Sequence, residues 1–219
     1  MTDRTAALRA RIEQLWADRD GLHPGDAEAV ASVHEAIDLL DRGEVRVAER
    51  TTDGVLVHQW LKQAILLLFK LSEMDTTELG PFEYADKIPL KRGYQASGVR
   101  VVPGASARWG AHLEPGVIMM PSYVNIGAYV GSGTMVDTWA TVGSCAQIGR
   151  NLHLSGGVGI GGVREPPHAA PVDVGRDAYS GRRRIAPHGR PLRAGRAFGP
   201  ARRPPRAPPV SGAEWRPAE

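Results

Sequence analysis

A parallel β-helix that follows a small helical domain is the fold class predicted by this sequence of 219 residues. The first observation is a period of six residues in the middle of the chain, which neither an amphipathic helix nor a half-buried strand would maintain. The second is the helical spacing of apolar residues in the N-terminal third. The third is an Arg- and Pro-rich C-terminal segment, in which the apolar period stops.

The N-terminal region, residues 1–95, predicts a helical domain with one hairpin. Three sets of apolar residues recur at helical spacing, and Asp53 with Gly54 marks a hairpin turn between the second and third sets. The sets are Leu8, Ile12, Leu15 and Trp16; then Val30, Val33, Ile37 and Leu40; then Trp60, Leu61, Ala64, Ile65 and Leu68. We expect charged residues here, such as Lys62, to lie on a solvated face.

The β-helix is predicted for residues 96–171. Aliphatic residues stand at eight consecutive steps of six, and small residues often precede them by two positions, where the chain would turn a tight corner. The aliphatic residues are Ile118, Val124, Val130, Val136, Val142, Ile148, Leu154 and Ile160, and the small ones are Ser122, Ala128, Thr134, Ala140 and Ala146. This hexapeptide repeat is typical of a parallel β-helix of two to three coils, whose exposed ends need capping or partner subunits.

The C-terminal region, residues 172–219, predicts a disordered tail. It contains 11 Arg, 8 Pro, 8 Ala and 6 Gly against only 4 acids, and it has no apolar period. Such a segment cannot offset its ordering entropy. Because these four residue types have GC-rich codons, we interpret the segment as out-of-frame translation, and the chain as frameshifted or truncated.

Composition excludes several classes of partner and site. Residues 1–171 carry 16 basic and 20 acidic groups, so the net charge of +3 comes from the tail and indicates no nucleic-acid face. No apolar run is long enough to span a bilayer, and the N-terminus has no signal-peptide core. Cys145 is the single cysteine, and no Cys/His cluster has zinc spacing. We expect a cytoplasmic protein without a metal.

Four segments of the chain carry a specific pattern of motifs: 58–62, 86–91, 99–103 and, above all, Met120 to Val163. Together these motifs resemble the tetrahydrodipicolinate N-succinyltransferase family. The resemblance extends to about Pro171 and implies a left-handed β-helix, a homotrimer, and transfer of a succinyl group from succinyl-CoA to the amine of tetrahydrodipicolinate in lysine and diaminopimelate biosynthesis. Two alternatives stay open: a catalytically inactive truncated fragment of that enzyme, or another hexapeptide acyltransferase that uses acyl-CoA.

Candidate site residues follow from the chemistry that the resemblance implies. An amine that attacks a thioester must lose a proton, and substrate carboxylates need cationic or hydrogen-bonding partners. Asp137 replaces the glycine found after the aliphatic residue in the neighbouring repeats, which a tight turn alone would explain equally well. The resemblance makes Asp137 the catalytic and substrate-binding acid, and makes Arg100 a substrate-binding cation. It also places Ser155, Gly156 and Gly157 where the cofactor arm would approach.

Other residues receive a plainer interpretation. His112 and His153 fall within the repeats and are weighed as proton acceptors, but packing or surface hydrogen bonding is favoured for both. Cys145 is predicted to be a packing thiol. The resemblance implies a second catalytic acid beyond Pro171, and the matching stretch Gly181–Arg184 contains none.

Overall fold

The computed structural model describes residues 3–52, 54–162, 171, 173–174, 179–180 and 185–186. The helical domain contains α1 (Asp3–Ala17), a short 3-10 helix (Arg19–Gly21), α2 (Ala27–Arg42) and α3 (Gln59–Leu71). Strands β1 (Ala48–Thr51) and β2 (Gly54–Val57) form an antiparallel hairpin between α2 and α3. The three predicted helices and this hairpin are confirmed.

The helices pack through the apolar residues that their spacing brings to one side. Ile12, Val33, Ile37, Leu61 and Ile65 are fully buried in one cluster. One expectation is wrong: the side chain of Lys62, predicted to be solvated, is 0% exposed, and burial lowers its pKa. An isolated lysine beside apolar neighbours carries no sequence signal that separates a buried ammonium from a solvated one.

A second hairpin follows α3 and was not predicted. Strands β3 (Asp75–Leu79) and β4 (Phe82–Asp86) pair in antiparallel register around a turn at Gly80 and Pro81. Almost all of its residues are exposed, including Leu79, Phe82 and Tyr84. The Gly-Pro turn between apolar residues was the available sequence signal.

The rest of the described chain forms the predicted parallel β-helix. Two-residue strands follow one another in three parallel sheets, ordered β16-β13-β10-β7, β17-β14-β11-β8-β5 and β18-β15-β12-β9-β6. They are β5 (Arg100–Val101), β6 (Ser106–Ala107), β7 (His112–Leu113), β8 (Ile118–Met119), β9 (Tyr123–Val124), β10 (Tyr129–Val130), β11 (Met135–Val136), β12 (Thr141–Val142), β13 (Gln147–Ile148), β14 (His153–Leu154), β15 (Gly159–Ile160), β16 (Asp173–Val174), β17 (Tyr179–Ser180) and β18 (Ile185–Ala186).

Most of the predicted core lies inside this prism. The aliphatic residues from Val124 to Ile160 and the small corner residues are buried. The first predicted aliphatic is wrong by one residue, because Met119 is buried whereas Ile118 is only half-buried. The step from Met119 to Val124 is five residues, so the corner between β8 and β9 is one residue shorter than the other corners from β5 to β15. The first strand, β5, lies within the predicted range 96–171, although the aliphatic steps were identified only from Ile118 onward.

The expectation that the repeat stops before residue 172 is wrong for the strands described there. β16, β17 and β18 lie six residues apart and pair in parallel with β13, β14 and β15. A parallel ladder is made of backbone hydrogen bonds, so it continues where the aliphatic pattern used for the prediction has ended. The predicted disorder of the tail concerns residues that lie mostly outside the described ones. The stretch Gly181–Arg184, where the resemblance implies a second acid, also lies outside them.

The helical domain packs on one face of the prism, formed by β7, β10 and β13, which we call the interface face. Ile126 and Cys145, at corners of the prism, belong to the apolar cluster of the helices. The carboxylate of Asp41 accepts hydrogen bonds from the amide of Gly110 at 2.8 Å and from the ammonium group of Lys91 at 2.7 Å. The two parts therefore share a core and a buried ion pair.

Candidate active site

The predicted site residues lie on a second face of the prism, formed by β5, β8, β11 and β14, which we call the site face. Arg100 begins β5 and is exposed, and the register aligns it with Ile118, Met135 and His153 in successive coils. Asp137 follows β11, and Ser155 to Gly157 follow β14 at the same corner one coil further on. The structure thus brings these five predicted residues to one face.

The carboxylate of Asp137 is held by three donors, of which the hydroxyl of Thr138, 3.4 Å from Oδ1, is the most distant. The amide of Thr138 donates to Oδ1 at 2.7 Å, and Nε2 of His153 lies 3.1 Å from Oδ2. The amide of Asp137 itself donates to the carbonyl of Leu154 at 3.0 Å, which ties this corner to the next coil. The side chain of Asp137 remains 30% exposed, so a ligand can still reach the carboxylate.

These contacts keep Asp137 ionised. The amide of Thr138 and then the imidazole of His153 lower the pKa of the carboxyl, and they outweigh desolvation. A carboxylate accepts hydrogen bonds at about four lone-pair positions, so these three donors leave room for another. Asp137 can therefore bind an ammonium group or accept a proton from one.

The same corner contains an exposed tryptophan in a left-handed conformation. Trp139 has φ of 59° and is 74% exposed, and its amide donates to the carbonyl of Pro121 at 2.7 Å. Glycine occupies the matching position in most other coils, because a side chain disfavours positive φ. Sequence reasoning missed Trp139, although its place in the glycine pattern was a usable signal.

The corner at Ser155, Gly156 and Gly157 lies against the Asp137 corner. The amide of Gly157 donates to the carbonyl of Thr138 at 2.9 Å, and a Cβ on Gly156 would lie 3.2 Å from that oxygen. A Cβ on Gly157 would meet no atom within 4 Å, and both glycines are exposed. The backbone here is open to a ligand that lies along the corner.

Arg100 is separated from the strand of Asp137 by two strand spacings. Since neighbouring strands lie about 4.8 Å apart, their backbones are about 10 Å apart along the face. Among the residues that the structure describes, no ion pair of the Arg100 guanidinium is found. This cation therefore lies at the same face as Asp137 but too far away for the two side chains to form the short ion pairs seen elsewhere.

The two histidines weighed from the sequence differ in position. His112 is on the interface face, where its ring lies 4.8 Å from that of Tyr129 and Nδ1 is 3.1 Å from the carbonyl of Asp41, and burial lowers its pKa. The packing interpretation of His112 agrees with this. His153 is instead at the site face, in contact with Asp137. Cys145 is buried in the helical cluster, as expected for a packing thiol.

Within the described ranges, no group of three or more His, Cys, Asp or Glu is arranged to hold a metal ion. No helix in that part of the chain is long and apolar enough to cross a membrane.

Comparison with known proteins agrees with this architecture. A family model described as tetrahydrodipicolinate N-succinyltransferase N-terminal matches residues 7–71. Proteins named 2,3,4,5-tetrahydropyridine-2,6-dicarboxylate N-succinyltransferase are similar over most of the chain. The one from Bordetella pertussis strain Tohama I is 52% identical over 187 residues, which cover 82% of this chain and 68% of the relative.

Two further relatives carry the same name. The protein from Aeromonas hydrophila is 51% identical over 184 residues, which cover 80% of this chain and 67% of the relative. The protein from Methylorubrum extorquens strain PA1 is 46% identical over 187 residues, with coverage of 81% and 67%. At this identity and coverage, the chain belongs to the tetrahydropyridine-dicarboxylate N-succinyltransferase family.

Proposed function

We propose that this protein transfers the succinyl group of succinyl-CoA to the amine of ring-opened tetrahydropyridine-2,6-dicarboxylate. The observation that carries the proposal is the ionised, partly exposed carboxylate of Asp137 beside the open corner at Gly156 and Gly157, in a chain of this family. The names of the relatives favour this reaction over that of another hexapeptide acyltransferase.

The reaction requires an acceptor for one proton. The lone pair of the amine nitrogen forms a bond to the thioester carbonyl carbon, and the carbon–sulfur bond then breaks, so that CoA leaves as a thiolate and is protonated. The nitrogen loses the proton that its new bond makes acidic. Asp137 accepts a hydrogen bond from the neutral amine and then this proton, because its carboxylate is ionised at neutral pH and reachable from solvent.

Arg100 binds the substrate carboxylate that is remote from the amine. The reacting amine and one carboxylate share a carbon atom, whereas the second carboxylate is at the other end of the chain. A cation about 10 Å along the face from the strand of Asp137 suits the remote group. A guanidinium matches a carboxylate through two parallel hydrogen bonds.

The corner at Ser155, Gly156 and Gly157 carries the CoA arm. An extended pantetheine chain needs close approach to backbone, which side chains at the two glycines would hinder. The open space around Gly157 supports this assignment. The thioester at the end of the arm would then lie one coil away from Asp137.

The working assembly is a homotrimer, in the cytoplasm and on the route to lysine and diaminopimelate. The exposed apolar side chains of Leu79, Phe82 and Tyr84 support burial of the second hairpin against another subunit, since a lone two-stranded hairpin has little stability of its own. A second subunit would also extend the shallow site face into a groove.

The test is a transfer assay on the full chain. Succinyl-CoA and tetrahydrodipicolinate are mixed with the protein, release of CoA thiol is followed with a chromogenic thiol reagent, and the succinylated amine is identified by mass spectrometry. We expect release that depends on the amine and exceeds that with acetyl-CoA. Asp137→Asn should lower turnover by about 10²- to 10⁴-fold without loss of folding. No amine-dependent release by the wild-type protein, or near-normal turnover by the variant, would overturn the proposal.

A further inference from the structure

We propose that His153 is a positioning residue for the proposed reaction, which holds the carboxylate of Asp137 in its working orientation through an N–H from Nε2. The inference rests on the proposed function and adds a residue to which sequence reasoning gave no such role. It follows from the contact of 3.1 Å between Nε2 and Oδ2 of Asp137.

The contact fixes which nitrogen carries the proton. An ionised carboxylate only accepts hydrogen bonds, so Nε2 must be the protonated nitrogen whether the ring is neutral or charged. The amide of Thr138 holds Oδ1 from the other side at 2.7 Å. Oδ2 of Asp137 therefore has His153 as its fixed donor and Oδ1 has the amide and hydroxyl of Thr138, so rotation of the carboxylate about its terminal bond would break these hydrogen bonds.

The imidazole is carried by a rigid element. Met135 of β11 pairs with His153 of β14, and the amide of Asp137 donates to the carbonyl of Leu154, so the two coils are in fixed register. A residue that must hold a catalytic group within a fraction of an ångström is best placed on such an element. The distance is set by the prism rather than by a mobile loop.

A contribution to stability does not explain this pair. The side chains of His153 and Asp137 are 43% and 30% exposed, and ion pairs at such exposure contribute little to folding. The pair His23 with Asp26 in the helical domain, with 3.4 Å between Nε2 and Oδ1, is of the same kind and far from the site face in sequence. It provides a matched control.

The test compares His153→Ala, His153→Gln and His153→Asn in the full chain. The amide nitrogen of Gln can occupy the place of Nε2, whereas that of Asn lies nearer the place of Nδ1. We expect His153→Ala to lower kcat by about 10²-fold, since small misplacement of a catalytic group has effects of this size, with KM for succinyl-CoA unchanged. His153→Gln should recover most of the loss and His153→Asn little of it, and His23→Ala should leave kcat unchanged.

A second readout is the pKa of Asp137, which can be followed by kinetics and, without turnover, by NMR. Because the His153 hydrogen bond lowers the pKa of Asp137, its removal should raise that pKa, and Thr138 should still hold it below the ordinary value. The acid limb of the kcat/KM profile should move to higher pH, and so should the carboxyl titration of Asp137 followed by ¹³C NMR in the unliganded protein. Wild-type kcat in His153→Ala, equal activity of the Gln and Asn variants, or an unmoved titration would overturn the inference. If the wild-type protein transfers no succinyl group, the proposed function is wrong, and an NMR titration that still moves retains the positioning contact alone.

Discussion

The interface face and the site face of the prism are built from the same two-residue strands but treat their outward side chains differently. On the interface face, the guanidinium of Arg46 lies 3.6 Å from the ring centre of Tyr129 and donates to Gln147, which is buried. On the site face, Arg100 is exposed and Asp137 with His153 is partly exposed. On the interface face, the polar groups bond across the contact between the two domains. On the site face, the polar groups remain accessible to a ligand.

One corner position shows the difference most directly. Cys145 and Trp139 both occupy the left-handed position that glycine fills in most coils, with φ of 67° and 59°. Cys145 is buried in the helical cluster, where packing offsets its backbone cost. Trp139 is 74% exposed and gains little from packing. An unfavourable backbone conformation that is not offset by burial of the side chain is expected near a functional site.

The largest effect on stability is expected at the buried ion pair of the interface. Lys91→Met removes the ammonium partner of the Asp41 carboxylate and leaves its hydrogen bond from the Gly110 amide, and breaking a buried pair from one side costs about 3 to 5 kcal/mol. Chemical denaturation should show a loss of unfolding free energy near the lower of these two values, because the side chain of Asp41 is not wholly buried. Lys70→Met, at an exposed position of α3, is the control and should change stability by less than about 0.5 kcal/mol. Equal losses in the two variants would contradict the role of the pair.

On the site face, Arg100→Ala is expected to affect binding and not folding. Loss of a hydrogen bond to a charged group corresponds to about 1.5 to 3 kcal/mol, or a roughly 10- to 100-fold rise in KM for the amine substrate. KM for succinyl-CoA and the midpoint of thermal unfolding should change little, since the guanidinium is exposed and makes no ion pair with the described residues. Steady-state kinetics with each substrate varied in turn provide the measurement, with Arg9→Ala in α1 as a charge-matched control. A similar rise in both KM values would remove Arg100 from the dicarboxylate site.

Gly43 tests how tightly the helical domain sits on the interface face. It ends α2 with φ of 74°, and an added Cβ would lie 2.5 to 2.7 Å from atoms of the His112 ring. Gly80 has a similar φ of 58° but open space around it. Gly80→Ala should therefore cost only the left-handed backbone term of about 1 to 2 kcal/mol, and Gly43→Ala should cost about 1 to 3 kcal/mol more from overpacking. If chemical denaturation shows equal losses of unfolding free energy in the two variants, the helical domain is packed only loosely on the interface face.

The sequence was sufficient for the repetitive part of the fold because a six-residue period requires inward residues at fixed positions. It failed at the first coils, where Ala107 serves as an inward residue and a five-residue step puts Met119 in place of Ile118. It failed again at Lys62, because burial of a charged group depends on which surfaces the folded chain brings together. It also missed strands β16 to β18, whose pairing is a property of the backbone.

For the site, residue types and resemblance were enough to nominate Asp137 and Arg100 but not the partner of Asp137. His153 is 16 residues away, so the contact depends on the register of successive coils. That register pairs residues 18 positions apart along the chain, as for Met135 and His153. A residue 16 positions after Asp137 therefore lies diagonally beside the corner that contains Asp137. Residues about one coil apart along the chain are neighbours in the folded prism, and this rule would have identified His153 as the partner of Asp137.

The smallest expected effect is at Trp139, and it separates the two faces most sharply. Trp139→Gly removes a left-handed backbone cost of about 1 to 2 kcal/mol and adds about 0.5 to 1 kcal/mol of chain entropy to the unfolded state, so stability should stay constant or rise by about 1 kcal/mol. Cys145→Gly brings the same backbone relief but empties a buried position beside Ile65 and Gly127, so it should lose stability. Turnover should fall in Trp139→Gly, whose indole adjoins the Asp137 corner, and should be retained by folded Cys145→Gly. Thermal unfolding and the transfer assay on both variants provide the measurement. If Trp139→Gly loses as much stability as Cys145→Gly, the indole of Trp139 has a packing role like that of the Cys145 thiol.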